Sequence, residues 1–171
     1  VSIRGTGGTD SARYCYTIWL RHLSILYKNG FTKIPNTIAE LGPGDSIGTG
    51  LAGLLSGSKK FYALDVVEHT DIKKNISVFD ELVTLFANHS ALPDDNEFPR
   101  VLPRLTSYNF PSEIFADNNL ENFLDKSRIQ SLRNELVDIK KQKNSIKYMC
   151  PWNDPKIIES DSVDVVFSQA V

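Results

Sequence analysis

The segment from Thr37 to Val67 constrains the fold more than any other part of the chain. Thr37, Ile38, Ala39, Glu40 and Leu41 form a short β-prone run, and Gly42, Pro43 and Gly44 follow it at once. Leu51, Leu54 and Leu55 then recur at helical spacing between Ser46 and Ser56. That helix carries Gly48, Gly50 and Gly53. Glycine is costly in a helix interior, so three of them predict close packing of the helix on a sheet. Gly57 is a suitable stop, and Lys60 to Val67 reads as a second strand. Strand, glycine turn, helix and strand within about 30 residues make a βαβ unit, which builds parallel sheets.

The flanking sequence continues the alternation. Residues 1–10 read as a glycine- and threonine-rich loop, with Asp10 or Ser11 placed to cap a helix. Apolar residues at Cys15, Trp19, Leu23 and Leu26, widened by Tyr16, Leu20 and Tyr27, predict a helix over Ala12 to Lys28 that ends at Asn29 and Gly30. Ile72, Ile76, Phe79, Leu82, Val83 and Phe86 predict a second amphipathic helix over Asp71 to Ser90. Pro93, Pro99, Pro103 and Pro111 break regular structure across 91–116. Helical spacing resumes at Leu120, with Ser127 and Gln130 as a capping box. Residues 145–150 and 163–168 read as third and fourth strands around a loop at 151–155. The expected fold is α/β, a doubly wound and mostly parallel sheet with helices on both faces. A long helical insertion at 68–144 separates strands 2 and 3.

Composition excludes several function classes. Hydrophobic residues make up 41% and charged residues 23%, as in an ordinary globular domain. A formal charge of −2 is a poor basis for binding nucleic acid through its phosphates, so no nucleic-acid partner is expected. No apolar run reaches the ~20 residues of a membrane span. Cys15 and Cys150 lie far apart with no secretion signal in view and read as reduced core residues, in a chain expected to be cytoplasmic. His22, His69 and His89 show no metal-ligand spacing, with each other or with the cysteines, and read as surface or partly buried side chains, so no metal is expected.

The glycine turn carries the chemistry. A dinucleotide fingerprint needs a third glycine where Ile47 stands, and a phosphate-binding loop needs a Gly-Lys-Ser/Thr run that is absent. What is present is Glu40, two positions before Gly42, then Gly44 and Ser46. This pattern resembles motif I of the class I S-adenosylmethionine-dependent methyltransferases, an acid followed by Gly-x-Gly-x-Gly, with Ser46 in place of the third glycine. Asp65, about 20 residues further on, ends the second strand with a carboxylate suited to ribose hydroxyls; a helix cap or turn residue is the alternative. Residues 161–169, with Asp164, Phe167, Ser168 and Gln169, resemble motif IV of the same family, in which Asp164 has a structural place. Between them, Trp152 reads equally as an adenine-stacking residue or as core, with Asn153 or Asp154 beside it.

The resemblance implies S-adenosylmethionine as cofactor. It implies contacts from Glu40, Gly42, Pro43, Gly44, Asp45, Ser46, Asp65, Val66, Trp152, Asn153, Phe167, Ser168 and Gln169. Glu40 would face the ammonium group. The helix at 12–30 would close over the cofactor, although Tyr14, Tyr16 and Trp19 read better as packing residues, and Arg13 heads that helix. The expected activity is methyl transfer to a small-molecule acceptor, a sugar or other metabolite, with no nameable general base. A nicotinamide-dependent oxidoreductase and a non-catalytic nucleoside-binding or interaction module are the alternatives. In the family's order the sheet would run 3-2-1-4. The family's sheet has seven strands and this sequence supplies four. The expectation is therefore a single partial domain over 1–171, truncated after the fourth strand: a leading loop and helix at 1–30, a cofactor-binding βαβ at 36–67, the insertion, and strands 3 and 4 at 145–171. The fourth strand would be left as an edge, with Val163, Val165, Val166 and Phe167 poorly covered.

Overall fold

Four parallel strands, in the order β3-β2-β1-β4, form the centre of the molecule. They are β1 (Thr37–Leu41), β2 (Lys60–Leu64), β3 (Ile146–Met149) and β4 (Val165–Ser168). The computed structural model describes residues 8–116, 120–141, 145–154 and 156–169. The order is the expected one, and helices flank the sheet: α1 (Ala12–Lys28), α2 (Gly48–Leu55), α3 (Ile72–Ala87), two short turns α4 (Ser112–Phe115) and α5 (Leu120–Phe123), and α6 (Lys126–Val137). Among the described residues, 68–144 contain no strand.

The glycines of α2 do what their cost implies. A Cβ on Gly50 would lie 2.0 Å from the tip of the Phe61 ring, and one on Gly53 would lie 2.3 Å from Ile38 Cδ1. A Cβ on Gly48 would meet Cys15 Sγ at 2.5 Å. The helix therefore sits closer to β1, β2 and α1 than any residue with a side chain would permit.

Packing on the two sheet faces is uneven. Ile38, Phe61, Ala63, Ile146, Tyr148 and Phe167 join the apolar faces of α1, α2, α3 and α6 in one large core. On the opposite face Ala39, Tyr62 and Leu64 pack with Ile157, Ile158 and Val163, which belong to no helix. The steps from β1 to β2 to β3 run in one direction, and right-handed crossovers place their helices on one side. The step that reverses direction, β3 to β4, holds no helix among the described residues.

The structure adjusts several local expectations. Strand β2 ends at Leu64 rather than Val67, because the chain turns at Asp65 and leaves Val66 and Val67 exposed. Ser11 caps α1 by accepting from Tyr14 N at 3.3 Å. Asp125, not the Ser127–Gln130 pair, caps α6: its carboxylate accepts from Ser127 N and Arg128 N. On β4, Val166 is exposed as expected of an edge, but Phe167 is buried against Trp19 and His22, with ring centroids 5.7 Å away in each case.

The Pro-rich segment is fastened to α1 by one side chain. Arg21 is fully buried, and its guanidinium donates to Thr17 Oγ1, Asp95 Oδ1 and the carbonyls of Pro93, Val101 and Pro103. The Tyr108 ring lies under it at 4.8 Å. Arg13 adds a bidentate pair with Glu97 at 2.6 and 2.7 Å on the surface, where such a pair contributes little.

Two stability predictions follow from these contacts. Gly50→Ala should cost about 2 kcal/mol or more in urea denaturation, because the buried Phe61 ring has nowhere to go. An unchanged midpoint would contradict the packing described. Arg21→Ala should cost about 3 kcal/mol, since it removes the donors of three carbonyls, two of them buried, and one partner of Asp95; Arg21→Lys should recover only part of it.

Candidate functional site

The carboxyl ends of β1, β2 and β4 meet at the glycine turn. Gly42 and Gly44 have φ of 68° and 79°, the left-handed region that glycine tolerates best. Gly42 N donates to Leu64 O at 2.9 Å, which ties the turn to the end of β2. A Cβ on Gly42 would meet no atom within 4 Å, so the space above it is open.

Two carboxylates stand at this turn. Glu40 is 2% exposed, and its Oε2 has no hydrogen-bond partner. Asp65 is 7% exposed; its Oδ1 accepts from Val66 N at 2.8 Å, while its buried Oδ2 has no partner. Burial pushes the Glu40 carboxyl up to about 8, and the neighbouring charge of Asp65 adds to the push. The Thr49 hydroxyl and Gly50 N–H, at the start of α2, act in the opposite direction. Asp65 does not cap α3. That role belongs to Asp71, which accepts from Lys74 N at 2.8 Å.

The remaining expected contacts divide into two groups. Near the open side of the turn lie Val66, Trp152 and Asn153, all exposed. Trp152 is 39% exposed and so is not core; its backbone N–H donates to Asp65 O at 3.1 Å, which holds this corner against the end of β2. Ser168 is exposed and donates from Oγ to Leu41 O at 3.1 Å, and Gln169 is half-buried beyond it. The second group faces inward. Pro43 is buried, and Phe167 belongs to the core against α1. Asp45 forms a loose pair with Lys74 at 3.8 Å. Ser46 is fully buried and committed: its N–H donates to Thr9 Oγ1 at 3.2 Å, its hydroxyl donates to Thr9 O, and its Oγ accepts from Gly48 N at 3.1 Å.

Two supporting residues carry no motif. Thr9 straps the chain before α1 onto the turn through Ser46, and Cys15 Sγ also reaches Thr9 O at 3.4 Å. Asn75 is fully buried on α3; its Oδ1 accepts from Ile47 N at 3.0 Å and its Nδ2 donates to Thr70 Oγ1 at 2.8 Å. It holds the entry to α2. Asn75 shares the apolar face of Ile72, Ile76 and Phe79, and a polar residue on such a face is the sequence signal for that role. Among the described residues, no cluster of His, Cys, Asp and Glu suits a metal ion, and both cysteines are free. No helix among the described residues is long and apolar enough to cross a membrane.

Fold and site together define an α/β domain with a parallel sheet and an acid-flanked glycine turn at its carboxyl edge. Comparison with protein-family models, with curated proteins and with solved structures finds no match to this chain.

The raised Glu40 value makes stability pH-dependent. Folded Glu40 keeps its proton to higher pH than the unfolded chain does, so stability from this group is complete at pH 4–5. The loss begins above the unfolded value near 4.5 and continues as pH rises to about 8. Wild type should lose up to about 4 kcal/mol relative to Glu40→Gln across that interval, measured by urea denaturation at fixed pH. Parallel pH profiles for the two proteins would contradict this.

Proposed function

We propose that the chain binds S-adenosylmethionine over the glycine turn and transfers its methyl group to a small-molecule acceptor, a sugar or other metabolite. One observation carries the reading: two buried carboxylates at neighbouring strand ends, Glu40 and Asp65, each keep a buried oxygen with no partner among the described residues, and the glycine turn between those ends has open space over Gly42. A buried acceptor left unsatisfied costs about 1–3 kcal/mol, more when charged, so such a pair suits a ligand that brings its own donors. The motif I pattern around Glu40 and the motif IV pattern around Phe167 give that ligand its class.

The residues fit the group in separate roles. Asp65 Oδ2, buried and without a partner among the described residues, would accept from ribose hydroxyls. Glu40 supplies negative charge for the ammonium group. Trp152 and Val66 offer exposed apolar surface beside Asp65, suited to the adenine ring. Bound there, the sulfonium supplies an already activated methyl group. The protein's part is to hold donor and acceptor in line and keep water out. Tyr14, packed edge-on against Phe98 at 5.4 Å, places the Pro-rich segment near the turn, which makes that segment the wall we assign to the acceptor. Two unpaired cysteines suit work in the cytoplasm.

Titration with S-adenosylhomocysteine and with NAD tests the reading. S-adenosylhomocysteine should bind and NAD should not. Asp65→Ala should weaken S-adenosylhomocysteine at least tenfold without unfolding the protein. Tight binding of NAD alone would transfer the site to the oxidoreductase reading. Binding of neither would favour a non-catalytic module.

A further inference from the structure

Among the described residues, the groups that act on Glu40 are neutral or negative. Helix α1 presents the Tyr14 phenol and the Cys15 thiol, both neutral at pH 7 and both raised further by burial and by the Glu40 charge. Helix α2 presents the Thr49 hydroxyl and the Gly50 N–H, and β2 leads into Asp65. Strand β4 brings Phe167 into register with Glu40 and has no titratable side chain between Val165 and Ser168. No Lys or Arg nitrogen lies within 4.0 Å of either carboxylate among the described residues.

Such a pocket cannot hold two bare carboxylates cheaply. Neighbouring buried acids share the burden by keeping a proton on one of them. Asp65 already accepts a backbone N–H through Oδ1, whereas Glu40 is the more deeply buried and, among the described residues, has no salt-bridge partner. The proton therefore sits on Glu40. A ligand that brings a positive charge supplies the missing counter-charge and removes the reason for keeping it.

We propose that this site exchanges a proton for its ligand: Glu40 is a neutral acid in the free protein, and the arrival of a cationic group ionises it and releases its proton to solvent. No covalent bond other than the O–H changes, and charge balances, since one positive charge enters as one leaves. The inference rests on the reading above that the ligand carries an ammonium group. Its consequence is that affinity rises with pH through the neutral range, so that the site loads poorly in acid.

Isothermal titration of S-adenosylhomocysteine into the full chain tests it, run between pH 6 and 8.5 in pairs of buffers with unlike ionisation enthalpies. The difference between buffers reports protons released. Close to one proton per ligand is expected at pH 6–7, falling towards zero by pH 8.5, with affinity rising about tenfold per pH unit at the acid end. Adenosine, which has the ring and ribose without the ammonium group, should bind with no proton released. Glu40→Gln, checked for folding by circular dichroism, should show binding that ignores pH. Should that variant not fold, the wild-type buffer pairs decide alone. S-adenosylhomocysteine binding whose heat is the same in both buffers would overturn the inference and leave the proposed ligand standing. Proton release with adenosine as well would overturn the assignment to the ammonium group. Failure of both ligands to bind at any pH would overturn the inference together with the reading beneath it.

Discussion

The close seat of α2 on the sheet governs most of what surrounds it. Three glycines remove the side chains that would otherwise hold the helix away from Phe61, Ile38 and Cys15. With the helix that near, its first turn faces the end of β1, and Thr49 and Gly50 come to bear on the Glu40 carboxyl. The turn between them has to be short and left-handed, which Gly42 and Gly44 supply. Helix α1 then packs across α2 and carries Thr9 to the turn, where Ser46 fastens it. Structural economy and site geometry thus have one cause: a helix interior that gives up intrinsic stability for proximity.

That proximity also explains why the site holds two unsatisfied acids. A carboxylate buried in a packed core is normally paired or excluded. Here the core closes around Glu40 from α1, α2 and β2 and leaves its Oε2 without a donor. Asp65, one strand over, is half satisfied by its own turn. A fold that tolerates such an arrangement gives up stability at neutral pH, and sites of that kind are where ligands recover the loss.

Much of the fold was legible because its signals are local. Helix α1 appears at its expected limits, and β1 matches residue for residue. The cost of Gly48, Gly50 and Gly53 in a helix interior itself points to close packing. Boundaries moved where a tertiary contact decided them: β2 stops at Leu64 because Asp65 turns to accept the Val66 N–H. What the sequence hid was long-range. Arg21 reads as one polar residue on an amphipathic helix, and nothing in its spacing reveals that its partners lie at Pro93, Asp95, Val101 and Pro103. Thr9 lies in a loop with no pattern, and the partners of Asn75, Ile47 N and Thr70 Oγ1, are not legible from its spacing. Asp125, not Ser127, caps the helix because its carboxylate, two residues earlier, reaches two N–H groups. At the site itself, Glu40, Gly42 and Asp65 were readable from type and spacing. That Ser46 and Phe167 would turn inward was not, because it depends on the strap at Thr9 and on the ring of Trp19.

The account stands or falls on what occupies the space over Gly42. A crystal structure of the chain grown with S-adenosylhomocysteine examines that directly. The account predicts density above the turn, with the ribose hydroxyls on Asp65 Oδ2, the ammonium group towards Glu40 and the ring beside Trp152. Ligand density elsewhere, with Glu40 and Asp65 still unpartnered beside an empty turn, would contradict it.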